Sequence, residues 1–463
     1  MGGRAGARGV LGVVRAGLLG AAATALLFLA FVPAVEAAEP GATTSTEANC
    51  TTGASGPLAP TPPPEDPFYT PPSSLPKGKK GKPGTVIRSR PVCVADLEIP
   101  MPYAAWQIMY VSSGSETTKG KPSELKAAPS VDTALIIAPL TEGASGPRPL
   151  VSYENAEDSD STLDAPSYTL RKGTSVDNVA LQPLLAQGWE VIVPDYEGPE
   201  SAYSAGPLEG HGVLDGIRAA ENFSATDGLS GTSTEVGLWG YSGGAIATGW
   251  ASELASRYAP ELNIVGISEG GVPAELKEDF DTINSGVVAP GLAFASSVGD
   301  NAAYPNLIPE SLLNDAGREL AAKMRETGES SYPSTVPPEN ISDYTACGCN
   351  PVEHLSEFPT IAELIRINNL GQHIPTVPLY IYHDYLDELI PIAGVEKLVQ
   401  RYCEGGATVE FRVNYGDEHV SNAVVGAPEA IAYLTSRFAG VAPIDTCGLP
   451  DNGGVVPPGP EEL

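Results

Sequence analysis

The 463-residue chain predicts an α/β fold, with a mostly parallel central sheet and helices on both of its faces. Three observations point there. From residue 89 onward, short β-rich apolar runs alternate with helix-like stretches, the signature of parallel strands joined by crossover helices. The stretch "EVGLWGYSGGAIATGW", residues 235–250, sets Ser242 between glycines where a strand gives way to a helix. A segment at residues 277–372 interrupts the alternation, which then resumes.

The N-terminal elements lie outside that fold. Arg4, Arg8 and Arg15 precede the apolar run "GLLGAAATALLFLAFVP", and the small residues Val35 and Ala37 follow it. Together they read as a secretory leader, residues 1–37, rather than a retained anchor, because the sequence beyond is polar and Pro-rich. No other apolar run is long enough to span a bilayer. Residues 38–88 carry "APTPPPEDPFYTPPSSLPKGKKGKPG", an extended arm expected to lie on the domain surface.

The first part of the core spans residues 89–276. Its strands are "YAAWQIMYVSS", "TALIIAPL", "PLVSYENA", "WEVIVPDY", "EVGLWGY" and "LNIVGISEGGVP". Between them lie the helical stretches "VDNVALQPLLAQG", "GHGVLDGIRAAENF" and "GAIATGWASELASRYAP". Residues 277–372 read as irregular or helical, with "PESLLNDAGRELAAKMRETG" and "TIAELIRINNLG" as the clearest helices. An insertion of this length between sheet strands is expected to act as a helical lid or cap. Leu292, Phe294, Leu307, Leu312 and Leu313 are its candidates for contact with an apolar substrate. Residues 373–440 complete the core with "VPLYIYH" and "ATVEFRVN", and 441–463 form a C-terminal tail.

Composition bounds the chemistry. A net charge of −31 argues against nucleic acid and anionic membranes as partners, and suits neutral or cationic small substrates. Six cysteines in a chain with a leader, Cys50, Cys93, Cys347, Cys349, Cys403 and Cys447, are expected to form disulfides. Cys347 and Cys349 are so close that each is expected to bridge elsewhere. A metal site is not expected, since the single CxC has no second ligand pair in register. Sequons occur at Asn49, Asn222 and Asn340.

The Gly240-Tyr241-Ser242-Gly243-Gly244 stretch has the strand-to-helix setting of a nucleophile elbow. The sharp turn leaves no room for side chains at Gly240 or Gly244, lifts Ser242 above the sheet and aims the Gly243 amide at a developing oxyanion. Serine is a poor nucleophile unaided, so a base and an orienting acid must accompany it. Of five histidines, His211 precedes the elbow, His354 and His373 fall in or beside the insertion, and His383 lies within a strand, where packing is the expected role. His419, in "VNYGDEHVSN", follows a strand near the C-terminus and is the candidate base. In "LYIYHDYLDELIPI", Asp387 is far enough past the strand to curl back, with Asp384 as the alternative acid. The order Ser242, Asp387, His419 is that of an α/β-hydrolase and differs from the chymotrypsin and subtilisin orders.

Together with "DPFYTPP", "GTVIRSRPV", "WQIMYVSS", "VSYENAEDS", "APSY", "VPDYEGP", "GVLDGIRA", "GYSGGA", "YAPELNIVGISEGG" and "HDYLDELIP", these residues make the chain resemble the secretory lipase family. The resemblance covers most of the chain beyond the leader. It implies an α/β-hydrolase fold, a lid inserted between sheet strands and cofactor-free hydrolysis of acylglycerols and other carboxylic esters outside the cell. It further implies a triad of Ser242, Asp387 and His419, oxyanion contacts from Asp158 and the Gly243 amide, and a bridge between Cys403 and Cys447.

Asp158 is the unexpected member. On its own it reads as part of a solvated acidic turn, "ENAEDSDSTLD". As an oxyanion contact it must be protonated or must donate through its backbone amide. The lid also departs from the family in lacking long apolar runs and in carrying Cys347 and Cys349. The expected partners are small acyl esters or lipid droplets and micelles, met by a monomer with no stable membrane anchor. Two other classes compete. A secreted serine aminopeptidase would need an acidic or aromatic cluster for an α-amino group, which is not recognisable in the sequence. A non-catalytic binding protein would have lost Ser242 or His419, and both are present.

Overall fold

The computed structural model describes residues 49–50, 60–118, 121–140, 147–223, 228–285, 290–329, 332 and 341–454. The leader at residues 1–37 and Asn340 lie outside them.

The strands are β1 (Asn49–Cys50), β2 (Val86–Val92), β3 (Tyr103–Thr118), β4 (Lys121–Pro139), β5 (Leu150–Glu154), β6 (Glu190–Pro194), β7 (Val236–Tyr241), β8 (Ile264–Gly270), β9 (Leu379–Asp384) and β10 (Val409–Asn414). They form one sheet in the order β1-β3-β4-β6-β5-β7-β8-β9-β10, with β2 also on β3. From β6 to β10 every ladder is parallel. The N-terminal edge, including the long β3-β4 hairpin, is antiparallel. The sheet is thus mostly parallel, and its antiparallel strands β1 and β2 begin within residues 38–88.

Alternation along each strand explains why these runs are apolar throughout. Leu135, Ile137, Val191, Val193, Trp239 and Tyr382 enter one core, while Ile136, Ile192, Leu238 and Ile381, their immediate neighbours, enter the other. Side chains that alternate between two buried faces leave no polar face to read. The first core is closed by α1 (Pro166–Lys172), α2 (Asn178–Ala186) and the C-terminal α10 (His419–Phe438). Against the other pack α3 (Gly206–Asn222) and α4 (Gly243–Tyr258) through Val213, Leu214, Ile217, Trp250 and Ala251.

Between β8 and β9 the chain forms α5 (Leu276–Ser285), α6 (Pro290–Ala303), α7 (Asp315–Thr327) and α8 (Pro359–Asn368), with short 3-10 turns between them. Asn314 caps α7 by accepting the Gly317 amide at 2.9 Å. After β9 come α9 (Ile392–Glu404), β10 and α10. Among the described residues no helix is long and apolar enough to cross a membrane.

The cysteines correct one expectation. Cys347 and Cys349 bridge each other, with Cα atoms 5.2 Å apart. Gly348 between them takes a φ of 61°, and this left-handed turn folds the chain back far enough for ordinary disulfide spacing. Cys403 bridges Cys447, as the family resemblance implies, and Cys93 is disulfide-bonded too.

Candidate active site

Strand β7 ends at Tyr241, and Ser242 makes the turn into α4 with φ 56° and ψ −122°. A serine in this region is strained, and the surroundings hold it there. The Ser242 amide donates to Gly270 O at 3.0 Å, and Ser242 O accepts the Ala245 amide at 2.8 Å. A side chain on Gly240 would collide with Gly244 O, and one on Gly244 with Glu154 O. The elbow therefore needs both glycines for steric reasons.

The fold carries His419 and Asp387 to the same point. Ser242 Oγ lies 2.7 Å from His419 Nε2, and His419 Nδ1 lies 2.6 Å from Asp387 Oδ2. The second Asp387 oxygen accepts the amides of Leu389 at 3.0 Å and Ile390 at 2.8 Å, which fixes its rotamer. Glu388 Oε2 accepts the His419 amide at 3.1 Å, and Tyr241 Oη donates to His419 O at 2.7 Å. Both side chains of the acid-base pair are shielded, 0% exposed for Asp387 and 5% for His419. Burial opposes ionisation of Asp387, but the hydrogen bond and charge of His419, with His383 behind it, outweigh burial and hold the carboxyl below its ordinary range.

Asp384 turns away from the imidazole. Its oxygens accept Leu386 N at 2.7 Å and Asp417 N at 3.3 Å, so it ties together the two loops that present Asp387 and His419. His383 is buried, donates through Nε2 to Ile390 O at 2.9 Å and lies 3.5 Å from Asp387 Oδ2. Its packing role fits the sequence reading, but its position beside Asp387 was not legible there. His211 sits on α3 against Tyr258, and His373 contacts Arg257, so neither joins this group. His354 lies near Glu357 in the insertion.

Asp158 takes φ 45° and presses its carboxyl against Gly243, where any side chain would overlap Asp158 Oδ1. That oxygen is buried without a hydrogen-bond partner. Burial pushes the Asp158 carboxyl up to about 6, with the His419 charge working the other way. A carboxyl with one buried, unpartnered oxygen beside a helix N-terminal amide is equipped to meet an anion once protonated.

Ser242, Gly243, Asp158 and His419 lie on a cleft of about 890 Å³, which α5, α6 and α8 wall with Phe280, Leu292 and Leu364. A second space of about 660 Å³ lies within the insertion and shares Phe280, Ser297, Ile308, Val352 and Ile361 with the first. Of the five apolar candidates, Leu292 lines the cleft, and Phe294, Leu312 and Leu313 line the second space. Leu307 lines neither and packs with Tyr304, Leu364 and Ile367. Two further carboxyls, Asp279 and Asp300, are buried in the cleft wall, an acidic grouping that residues so far apart from Ser242 in the sequence could not reveal. Among the described residues, no group of three or more His, Cys, Asp or Glu is arranged to hold a metal ion.

Comparison with known proteins gives a consistent set of likenesses. The model of the family described as secretory lipase matches residues 163–446. The chain is 34% identical over 388 residues to the Mycobacterium tuberculosis (strain CDC 1551 / Oshkosh) protein named "Probable inactive lipase MT1628", covering 82% of this chain and 83% of that one. It is 31% identical over 391 residues to the "Secreted triacylglycerol lipase LIP2" of Malassezia furfur, covering 82% and 80%. Its fold is similar to that of Candida antarctica lipase A in its closed state, with a TM-score of 0.73 and 31% identity over 85% of this chain and 90% of that one.

Proposed function

Because the chain belongs to the secretory lipase family of α/β-hydrolases, we propose that it is a secreted serine carboxylic ester hydrolase, a triacylglycerol lipase acting through an acyl-enzyme. The observation that carries this reading is the unbroken hydrogen-bond chain from Ser242 Oγ through His419 to Asp387 at the floor of an apolar cleft. One of the relatives bears a name that describes it as inactive, which makes the intact geometry here the deciding feature rather than the likeness. The leader and the Cys403–Cys447 bridge support export to an oxidising compartment.

In the proposed reaction, His419 Nε2 takes the Ser242 proton as Oγ attacks the ester carbonyl, and then passes it to the leaving alcohol oxygen. Asp387 keeps the imidazole in the tautomer with Nδ1 protonated and offsets its positive charge. The Gly243 amide and the protonated Asp158 carboxyl receive the oxyanion. Water then repeats the sequence on the acyl-enzyme and releases the acid. Helices α5 to α8 act as a cap, and the acyl chain runs from the cleft into the second space. The aminopeptidase alternative gains acidic groups from Asp279 and Asp300, but burial favours the protonated form of both, and that form offers an ammonium no charge.

Initial rates on p-nitrophenyl esters from acetate to palmitate test the reading, with aminoacyl p-nitroanilides alongside. Ser242→Ala is expected to lose roughly 10⁴-fold or more of the ester rate while keeping its circular dichroism spectrum. An unchanged rate in a folded variant would remove Ser242 from the mechanism, and turnover of the anilides alone would select the peptidase.

A further inference from the structure

Helix α5 faces the catalytic cleft with Leu276, Asp279, Phe280 and Ile283, the i, i+3, i+4, i+7 stripe of one helical face. Three of these suit hydrocarbon; Asp279 does not. It is 3% exposed, and neither of its carboxyl oxygens has a hydrogen-bond partner among the described residues. A buried carboxyl left unsatisfied on both oxygens destabilises the fold, so its presence on a cleft wall points to a partner that arrives with the substrate.

The surroundings narrow what that partner is. Burial, then the charges of Glu278 and Asp387, favour the protonated carboxyl, and Lys397, the cation that acts on it, is paired with Glu278. An ammonium only donates, and holding one would require a second carboxylate charge near Asp387. A hydroxyl donates to the carbonyl oxygen and accepts the carboxyl proton, satisfying both oxygens with no charge. Asp279 shares the cleft lining with Ser242 and His419 and is absent from the walls of the second space, the path proposed for the acyl chain. The alcohol part of the ester, which would take its proton from His419, stays in that cleft.

Resting on the ester-hydrolase reading of Ser242, we infer that Asp279 determines specificity by binding a free hydroxyl on the alcohol part of the ester. The favoured substrates are then hydroxylated esters, such as partial glycerides, over esters of simple alkanols.

The test compares kcat/KM for glyceryl monobutyrate and ethyl butyrate, which share one acyl group, in the full chain and in Asp279→Leu and Asp279→Asn. The Leu variant lowers the ratio of the two roughly five- to tenfold, chiefly through KM, as expected for one lost hydrogen-bonding contact. The Asn variant, which still donates and accepts, stays within roughly twofold of the wild type. The Leu variant also unfolds at a higher temperature, because an unsatisfied buried group is gone. A structural role alone would move that temperature and leave the ratio in place, which would overturn the inference. So would an Asn variant that falls as far as Leu while butyrylcholine is the substrate most affected, since that pattern belongs to a cation site. If the wild-type chain hydrolyses neither ester faster than Ser242→Ala, the hydrolase reading itself fails and this inference with it.

Discussion

Asp384 and Asp387 are three residues apart on one loop, yet their carboxyls do different work. Asp384 ends β9 and spends both oxygens on the amides of Leu386 and Asp417, a turn that throws Asp387 back towards the imidazole. Asp387→Asn is expected to lower kcat by roughly 10³- to 10⁴-fold, because an amide favours the wrong imidazole tautomer. Asp384→Asn is expected to lower the unfolding temperature, at a cost of about 1 kcal/mol, with a smaller loss of rate. Steady-state kinetics and thermal melts of the two variants check the pair, and the reverse ranking would exchange their roles. Asp158 gives the second prediction at this scale. With its carboxyl pushed up to about 6, it is a donor below that pH and a repelling charge above it, so kcat should fall as pH rises through and beyond about 6. Asp158→Asn keeps an N–H donor at every pH and should lack that limb. If the limb persists in the variant, the side chain is not the donor and the backbone amide is.

The insertion between β8 and β9 is an element in its own right, since its residues supply much of the cleft lining and the whole lining of the second space. If the acyl chain passes from one to the other, Leu313→Trp should lower kcat/KM for p-nitrophenyl palmitate relative to butyrate by roughly tenfold, because several methylenes lose their burial. Leu292→Trp, nearer Ser242, should lower both. Leu307→Trp should act through overpacking of the helices, a loss of about 1–3 kcal/mol without a change of ratio. Equal ratios in Leu313→Trp and the wild type would send the chain by another route. The two described bridges also differ at this scale. Cys403–Cys447 joins the end of α9 to the tail across 44 residues, a span that restricts the unfolded chain by about 4 kcal/mol in the loop-entropy model. Cys347–Cys349 spans two, and the same argument assigns it little global stability.

Across the whole molecule, buried carboxyls set the response to pH. Burial pushes Asp132, Glu154 and Glu269 up to about 8, and Asp177 and Asp195 up to about 6. Above about 4 the unfolded chain has released these protons, while the folded chain holds them up to about 6 at Asp177 and Asp195 and up to about 8 at the other three. The folded state then binds more protons, so stability falls as pH rises across that window. The net charge of −31 adds repulsion of the same sign towards neutral pH. The unfolding temperature should therefore be higher at pH 4.5 than at pH 8, by roughly 5 °C or more. A melting series over this range checks it, and a maximum near pH 8 would show that these carboxyls ionise without penalty.

The sequence by itself determined the α/β architecture, because two-faced burial makes each parallel strand a continuous apolar run. It determined the elbow as well, because the turn at Ser242 tolerates no side chain at Gly240 or Gly244. Both leave a local mark in the sequence, an apolar run and a pair of glycines, although the Gly244 contact itself is with Glu154 O on a neighbouring strand. Only the tertiary structure decided which acid meets His419, since Asp384 and Asp387 differ by the course of one loop. It also decided that Cys347 and Cys349 close on each other, through one left-handed glycine. Most of all, it brought Asp158, from a loop that reads as solvated, against Gly243, and set Asp279 on the same cleft. Burial and its effect on a proton belong to the packing around a carboxyl, and a string of residue types does not record that packing.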